Sequence, residues 1–384
     1  MKIGIFGGTF DPIHNEHINM ALSAKEELGL DKLYIVPAYV SPFKSAYDVT
    51  QPVHRLNMVN IAFMDYPDVT VSDYEIKAGG ASYTYKTVEH FKKLHPKDKL
   101  YFIIGGDSLG TFFNWANPEI ITKHADIAVV LREGVYIETD KLQKKFKKLF
   151  NKDFIKLTYT GASVSSTKIR MTARFCLPLE GLVPKEVEDY IVKYDLYEDS
   201  PYIDYLKSVM TESRLKHTVN VVTAAMTKAK SLKLDEKKVY LAATLHDLAK
   251  YQNPDDFPGF VYKGIPKQVV HAFLGAYIIE NVLGITDKDV IDAVKYHTTA
   301  KAPMSTLQKL IFTADMIEDD RTYDGVEELR KIFYTESLDK AFTECLKEEV
   351  KHLQQKGYEL FTETQNAYNY YVLKQQEKSK DKRR

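Results

Sequence analysis

The chain has 384 residues, 44% of them hydrophobic and 28% charged, with 53 basic and 53 acidic side chains. That length is long for one compact domain and comfortable for two, and the apolar runs are too short to span a membrane. Positions 1–195 carry 25 basic and 24 acidic residues, which argues against a basic field for nucleic acid. The two cysteines, Cys176 and Cys345, are too few for a disulfide framework and suit the reducing cytoplasm.

Lys2–Phe6 reads as a buried first strand, not a signal peptide, and ends at Gly7-Gly8. Ile18–Leu28 has apolar residues at helical spacing. Leu33–Val36 is strand-like and is stopped by Pro37. Val69–Val71 is a short candidate strand, Leu100–Ile104 is a strong one closed by Gly105-Gly106, and Ile127–Leu131 is another. Strands alternating with helices predict an α/β unit over 1–198, a doubly wound parallel sheet of Rossmann-like type. After Asp195 the pattern changes. Segments near 203–231, 236–250, 267–283, 287–297, 304–318, 323–333 and 336–356 predict an all-α unit over 199–373. Asp199, Ser200 and Pro201 mark the boundary. The tail 374–384, with six basic and two acidic residues, reads as a solvated terminus.

Gly7-Gly8-Thr9-Phe10-Asp11-Pro12-Ile13-His14-Asn15-Glu16-His17 follows the first strand and opens a helix. Glycines let the backbone approach a ligand, and a helix N-terminus offers N–H groups and a positive dipole end to phosphate. His14 and His17 can present two donors to one phosphate. In an open α/β sheet such a loop sits where ligands bind, at the carboxyl ends of the strands. Far along the chain lies Val164-Ser165-Ser166-Thr167-Lys168-Ile169-Arg170. Alone, this segment is more often a plain helix cap. With the histidine loop it reads as a second phosphate cradle, Ser166 and Thr167 donating and Arg170 stabilising spread negative charge.

These residues resemble the HxGH nucleotidyltransferase superfamily, with Glu16 where the family has a small residue. Val36-Pro37-Ala38-Tyr39-Val40-Ser41-Pro42-Phe43-Lys44, His54-Arg55-Leu56-Asn57-Met58, Ser82-Tyr83-Thr84, Ile103-Ile104-Gly105-Gly106-Asp107-Ser108, Trp115 and Leu131-Arg132-Glu133-Gly134 narrow the resemblance. Over residues 1–197 it is to bacterial nicotinate-mononucleotide adenylyltransferases. The resemblance implies transfer of AMP from ATP to nicotinate mononucleotide, giving deamido-NAD and pyrophosphate. The attacking phosphate is already an anion, so positioning and charge neutralisation supply the catalysis. His14, His17 and Arg170 would meet the ATP phosphates over the loop Gly7, Gly8, Thr9 and Phe10. Lys44 would orient the approaching anion; an exposed charge is its alternative reading. Asp107, past Gly105, would accept from the adenosine ribose. Thr84 and Trp115 would surround the pyridine ring, although Trp115 also reads as plain core. Mg²⁺ would ride on the nucleotide. His54 reads as structural, and His90, His95 and His124 as surface or helix-end residues. A rival acceptor is pantetheine phosphate, against which Ser82-Tyr83-Thr84 and Trp115 weigh.

The second half holds His217, His246-Asp247, His271, His297 and Asp315, each on a segment predicted helical. Histidine and carboxylate together can hold divalent transition metals, and buried polar groups are costly unless paired. Neighbouring side chains on a helix diverge by about 100°, so His246 and Asp247 could serve two metals. Order and context resemble the HD phosphohydrolase superfamily. Arg214-Leu215-Lys216-His217-Thr218, Ala243 to Lys250, His271-Ala272-Phe273-Leu274-Gly275-Ala276, Tyr296-His297-Thr298-Thr299 and Ala314-Asp315-Met316-Ile317-Glu318 resemble the YqeK-type symmetrical diadenosine tetraphosphate hydrolases. The resemblance implies a centre of two metals, iron with manganese as competitor, ligated by His217, His246, Asp247, His271, His297 and Asp315. A bridging water acidified there would attack the polyphosphate and yield two ADP. Asp247 and Lys250 would share in catalysis, Lys250 reaching phosphate from the helix face of His246. Arg214 and Arg321 are candidate phosphate contacts. The expected partners are ATP, nicotinate mononucleotide and diadenosine tetraphosphate, with no nucleic acid and no membrane; an oligomer is left open. The alternatives for this half are another HD nucleotidase or phosphodiesterase, or a regulatory nucleotide-binding module without catalysis.

Overall fold

The computed structural model describes residues 1–41, 49–133, 137–162, 164–197 and 201–373. Lys44 and the basic tail lie outside the described residues. The chain forms two compact units that divide between residues 198 and 199.

In the first unit, six strands form one parallel sheet: β1 (Lys2–Gly8), β2 (Lys32–Pro37), β3 (Val69–Val71), β4 (Lys99–Gly105), β5 (Ala125–Arg132) and β6 (Ile155–Gly161), in the order β3-β2-β1-β4-β5-β6. Pleating sends alternate residues to opposite faces. Phe6, Leu33, Ile35, Tyr101 and Ile103 therefore enter one core, and Ile3, Ile5, Tyr34, Val36, Leu100, Phe102 and Ile104 enter the other. The helices are α1 (Asn15–Leu28), α2 (Pro52–Ala62), α3 (Tyr74–Ala78), α4 (Thr84–Leu94), α5 (Gly106–Thr111), α6 (Pro118–His124), α7 (Thr139–Phe150), α8 (Ser166–Arg174) and α9 (Lys185–Lys193). Residues of α1, α2 and α9 line the first core, and residues of α4, α6 and α7 the second. The sheet is thus covered on both faces, as the alternating pattern predicted.

Strand order reverses between β1 and β4, which pair directly. In such sheets the two crossovers leave a crevice at the carboxyl ends of the strands on either side of that point. Gly7-Gly8 and Gly105 end these two strands.

The second unit is helical: α10 (Pro201–Val209), α11 (Glu212–Ala229), α12 (Glu236–Leu245), α13 (Val270–Asn281), α14 (Lys288–Lys295), α15 (Thr306–Ile317), α16 (Val326–Thr335), α17 (Leu338–Gln355) and α18 (Thr362–Tyr368). The segment expected at 203–231 is two helices, because Thr211 caps a fresh start by accepting from the Arg214 N–H. Two further expectations need correction. α12 stops at Leu245 and α14 at Lys295, so His246, Asp247, Lys250 and His297 sit in turns just past helix ends. The cause is local. His246 Nδ1 lies 2.7 Å from the Ala243 carbonyl, and His297 Nδ1 lies 2.7 Å from the Val294 carbonyl. Each ring takes up a carbonyl three residues back, a bond that competes with continuing the helix.

Arg55, fully buried on α2, holds the first unit's loops together. Its Nε donates to Thr50 O at 2.9 Å, its Nη1 to Thr9 O at 2.7 Å and Ala38 O at 2.6 Å, and its Nη2 to Tyr39 O at 2.5 Å. Burial lowers its pKa from the ordinary arginine value, with Asp11 and Tyr197 opposing. One guanidinium thus joins the loop after β1 to the loop after β2. Arg55→Met should lower first-unit stability by about 3 kcal/mol, since it orphans buried carbonyls that had a charged donor. Arg55→Lys should recover little of it, because one ammonium cannot reach all four acceptors. Thermal unfolding of the full chain checks both.

Two candidate functional sites

At the carboxyl ends of β1 and β4 the first unit encloses a cavity of about 810 Å³. Gly7, Gly8, Thr9, Phe10, His14, His17, Thr84, Gly105, Asp107, Trp115, Ser166, Thr167 and Arg170 all line it. Every expected ligand-facing residue of this half among the described residues therefore meets in one place.

His14 is the N-cap of α1, and its Nδ1 accepts from the His17 N–H at 3.3 Å. Burial, with Arg132 nearby, lowers its pKa to about 3, so the ring is neutral at pH 7. With Nδ1 accepting, the ring proton sits on Nε2, and Nε2 is buried without a protein partner. His17 stacks on it, ring centroids 3.6 Å apart. Phe10 holds a left-handed backbone, φ 47°, with its ring buried edge-on against His17. Opposite, Ser165 caps α8 by accepting from the Lys168 N–H. The Ser166 hydroxyl donates to Pro12 O at 3.0 Å, so its proton is committed to the histidine loop. Arg170 Nη1 donates to Asp11 O at 2.6 Å.

Arg132 stood in a recognised stretch without a role. It lines the cavity, donates from Nη2 to Asp107 Oδ1 at 3.0 Å and from Nη1 to Val164 O at 3.2 Å, and leaves its Nε without a partner. The carboxylate expected to accept from a ribose is thus already oriented. Gly105 makes room for it, since a Cβ there would meet Asp107 Oδ1 at 2.5 Å. Trp115 packs on the core ring of Phe112 at 5.2 Å and also borders the cavity. Glu75, also on the cavity wall, accepts from the Thr87 hydroxyl, and burial raises its pKa. His54 Nδ1 lies 3.0 Å from the Tyr190 hydroxyl.

In the second unit, His217, His246 and Asp315 form one group of converging donor atoms and His246, Asp247 and His297 another, each with its atoms within 4.8 Å of one another. His271 stands beside them, with Nε2 3.2 Å from Asp247 Oδ1 and 3.2 Å from Lys250 Nζ. The ring nitrogens facing inward suit a metal. His246 and His297 spend Nδ1–H on backbone carbonyls, and His217 Nδ1 lies 3.1 Å from Glu318 Oε1. Each ring therefore turns Nε2 inward, fixed by its outer partner, where it can give a lone pair to a metal once any proton there is displaced. His297 Nε2 is buried 3.4 Å from Asp247 Oδ1, and His217 Nε2 lies 3.2 Å from His246 Nε2. Two nitrogen lone pairs at that distance need a proton or a cation between them. The donor set fits a divalent transition metal.

Glu318, missed in the sequence, is 3% exposed and also accepts from Asn220 at 2.9 Å. An acidic residue three positions after Asp315, on a segment read as buried helix, was the available signal. Arg214 lies 2.8 Å from Asp247 and Arg321 2.5 Å from Asp315. A cavity of about 550 Å³ opens at His297 and Asp315 and continues past Arg321 and Tyr323 to Glu349 and His352.

Burial lowers the His246 pKa to about 3. At His217 burial works in the same direction, but Asp315 and Glu318 outweigh it and raise the pKa to about 9. Without metal, His217 is therefore charged at neutral pH, and a cation must displace its proton. Below about pH 9 the apparent affinity for a divalent transition metal should rise by about tenfold per pH unit. Titration of the full chain with Mn²⁺ at pH 6, 7 and 8 measures this, and a flat profile would refute it.

Residues 5–172 match the cytidylyltransferase-like family and residues 214–320 the HD domain family. The chain is 31% identical over 326 residues to the "probable nicotinate-nucleotide adenylyltransferase/Ap4A hydrolase" of Mycoplasma genitalium, covering 83% of this chain and 88% of that one. It is 41% identical over 197 residues to a "probable nicotinate-nucleotide adenylyltransferase" of Clostridium tetani, covering 51% and 98%. A crystal structure of a predicted HD superfamily hydrolase from Clostridium acetobutylicum is 31% identical and covers 44% of this chain and 95% of that one, with a TM-score of 0.41. With both halves in one order and so much of each chain aligned, this chain belongs to the nicotinate-nucleotide adenylyltransferase/Ap4A hydrolase family.

Proposed function

We propose that the chain is a bifunctional nucleotide enzyme of the cytoplasm. The first unit transfers AMP from ATP to nicotinate mononucleotide, forming deamido-NAD and pyrophosphate. The second unit hydrolyses diadenosine tetraphosphate symmetrically to two ADP. The observation that carries the reading is convergence: the histidine loop and α8, about 150 residues apart in sequence, meet across one cavity, and six metal-competent side chains gather in the other unit.

In the first unit, the attacking phosphate needs no base. His14 Nε2–H, His17 and Arg170 bind the ATP phosphates and take up the charge that builds as pyrophosphate leaves. Thr9 and Thr167 border the same space, while Ser166 fixes α8 to the loop. Asp107, turned by Arg132, accepts from the ribose. Thr84 and Trp115 hold the pyridine ring, and Lys44 guides the incoming anion. Mg²⁺ arrives on the nucleotide. Helix N-termini, two imidazoles and a guanidinium around one cavity support a polyphosphate ligand more directly than an uncharged one.

In the second unit, His217, His246, Asp247, His271, His297 and Asp315 would hold two metal ions, iron with manganese as the rival. Bound there, such ions acidify water and neutralise phosphate. Arg214, Lys250 and Arg321 lie close enough to the carboxylates to bind the bridging phosphates. The cavity beyond His297 and Asp315 has room for a nucleoside end. No helix among the described residues is long and apolar enough to cross a membrane, which is consistent with a cytoplasmic setting. The rival readings of this unit, another nucleotidase or a regulatory binding module, predict other products or none.

An assay supplying ATP with nicotinate mononucleotide, and separately diadenosine tetraphosphate, tests the assignment. Wild type should release pyrophosphate in the first reaction and ADP alone in the second. His17→Ala should lower adenylyl transfer by about a hundredfold or more and spare hydrolysis. Asp247→Ala should do the reverse. AMP with ATP from diadenosine tetraphosphate, or loss of both activities in either variant, would contradict the reading.

A further inference from the structure

Glu16 stands between the two histidines, where a carboxylate should repel a triphosphate. Its presence is explained by what it holds. It is 7% exposed, and its Oε2 accepts from the Ala162 N–H at 2.9 Å and from the Tyr159 hydroxyl at 3.0 Å. Its Oε1 accepts from Asn19 Nδ2 at 3.0 Å. A carboxylate with donors on both oxygens is held in one place. Tyr159 lies in β6, and the chain runs on from Ala162 to the cap Ser165 and then into α8. Glu16 therefore ties the first turn of α1 to the strand that delivers Ser166, Thr167 and Arg170.

Gly161 fits this tie sterically. A Cβ on Gly161 would meet Glu16 Oε2 at 2.8 Å, closer than real Cβ contacts come, and Arg132 Cγ at 3.2 Å. The seam continues through the Ser166 hydroxyl on Pro12 O and through Arg170 on Asp11 O. An acidic residue in the loop and a bare position on β6 thus answer one another.

We propose that Glu16 is a positioning residue for adenylyl transfer, with Gly161 as its steric complement. Together they set the span between the His14–His17 imidazoles and the Arg170 guanidinium. The proposal rests on the adenylyltransferase reading of this cavity. A shift of about 1 Å in such a grip can cost about a hundredfold in rate.

The experiment is a double-mutant cycle on the full chain, following pyrophosphate release from ATP and nicotinate mononucleotide. Glu16→Ala should lower kcat by about ten- to a hundredfold, with KM for both substrates within about threefold of wild type. Glu16→Gln should restore most of kcat, because its amide oxygen can accept at the Oε2 position while the Asn19 amide turns over. Gly161→Ala alone should lower kcat by about tenfold. The pair Glu16→Ala with Gly161→Ala should lose clearly less than the two single losses multiplied together, since neighbours that share a contact are not additive, while the Cβ contact with Arg132 Cγ at 3.2 Å remains in both Gly161 variants. An unchanged kcat in Glu16→Ala, a Gln variant as slow as the Ala variant, or fully additive losses would each overturn the proposal. Wild type that releases no pyrophosphate would instead sink the adenylyltransferase reading, before any variant is compared.

Discussion

A histidine ring has two nitrogens, and what one of them does inside the protein decides what the other can bind. The chain uses this constraint with both signs. His14 accepts a backbone N–H at Nδ1, so Nε2 presents a proton to the first cavity, as an anion requires. His246 and His297 give their Nδ1–H to carbonyls, and His217 gives its own to Glu318. Their Nε2 atoms turn inward toward the Asp247 and Asp315 carboxylates, an arrangement that suits a cation. The same residue type thus serves a phosphate in one unit and a metal in the other.

Burial turns this local chemistry into function. A desolvated imidazole resists charging, which keeps His14 and His246 neutral at working pH. The orphaned Nε2 of His14 would cost stability without a ligand. Both units place these rings where regular structure stops: beyond β1, at the start of α1, and past the ends of α12 and α14. Backbone and ring bonds available only at such ends fix the rings. Arg55 and Glu16, neither of which need touch substrate, hold those ends together in the first unit.

Much of this was legible in the sequence. Continuous apolar runs gave away β1, β2, β4 and β5, because a central parallel strand is buried on both faces. β6 escaped, since Ile155–Gly161 alternates with Lys156, Thr158 and Thr160 at the sheet edge and resembles no central strand. Residue type, order and the resemblance they carry picked out side chains that the fold does gather at the two sites. The ends of α12 and α14 were not legible, because Ala-Thr-Leu-His-Asp-Leu-Ala-Lys has good helical character, and only the ring bond of His246 to Ala243 breaks it. The partners of buried charges were also hidden: nothing in one dimension joins Arg132 to Asp107, or Glu16 to Ala162 and a bare Gly161.

The opposed polarity of these rings can be measured directly. Long-range ¹H–¹⁵N correlation spectra of the metal-free full chain at pH 7, assigned with single histidine substitutions, report which ring nitrogen carries the proton. The account predicts His14 as the neutral Nε2–H tautomer, and His246 protonated at Nδ1 only. A charged His14, or His246 protonated at Nε2, would contradict it.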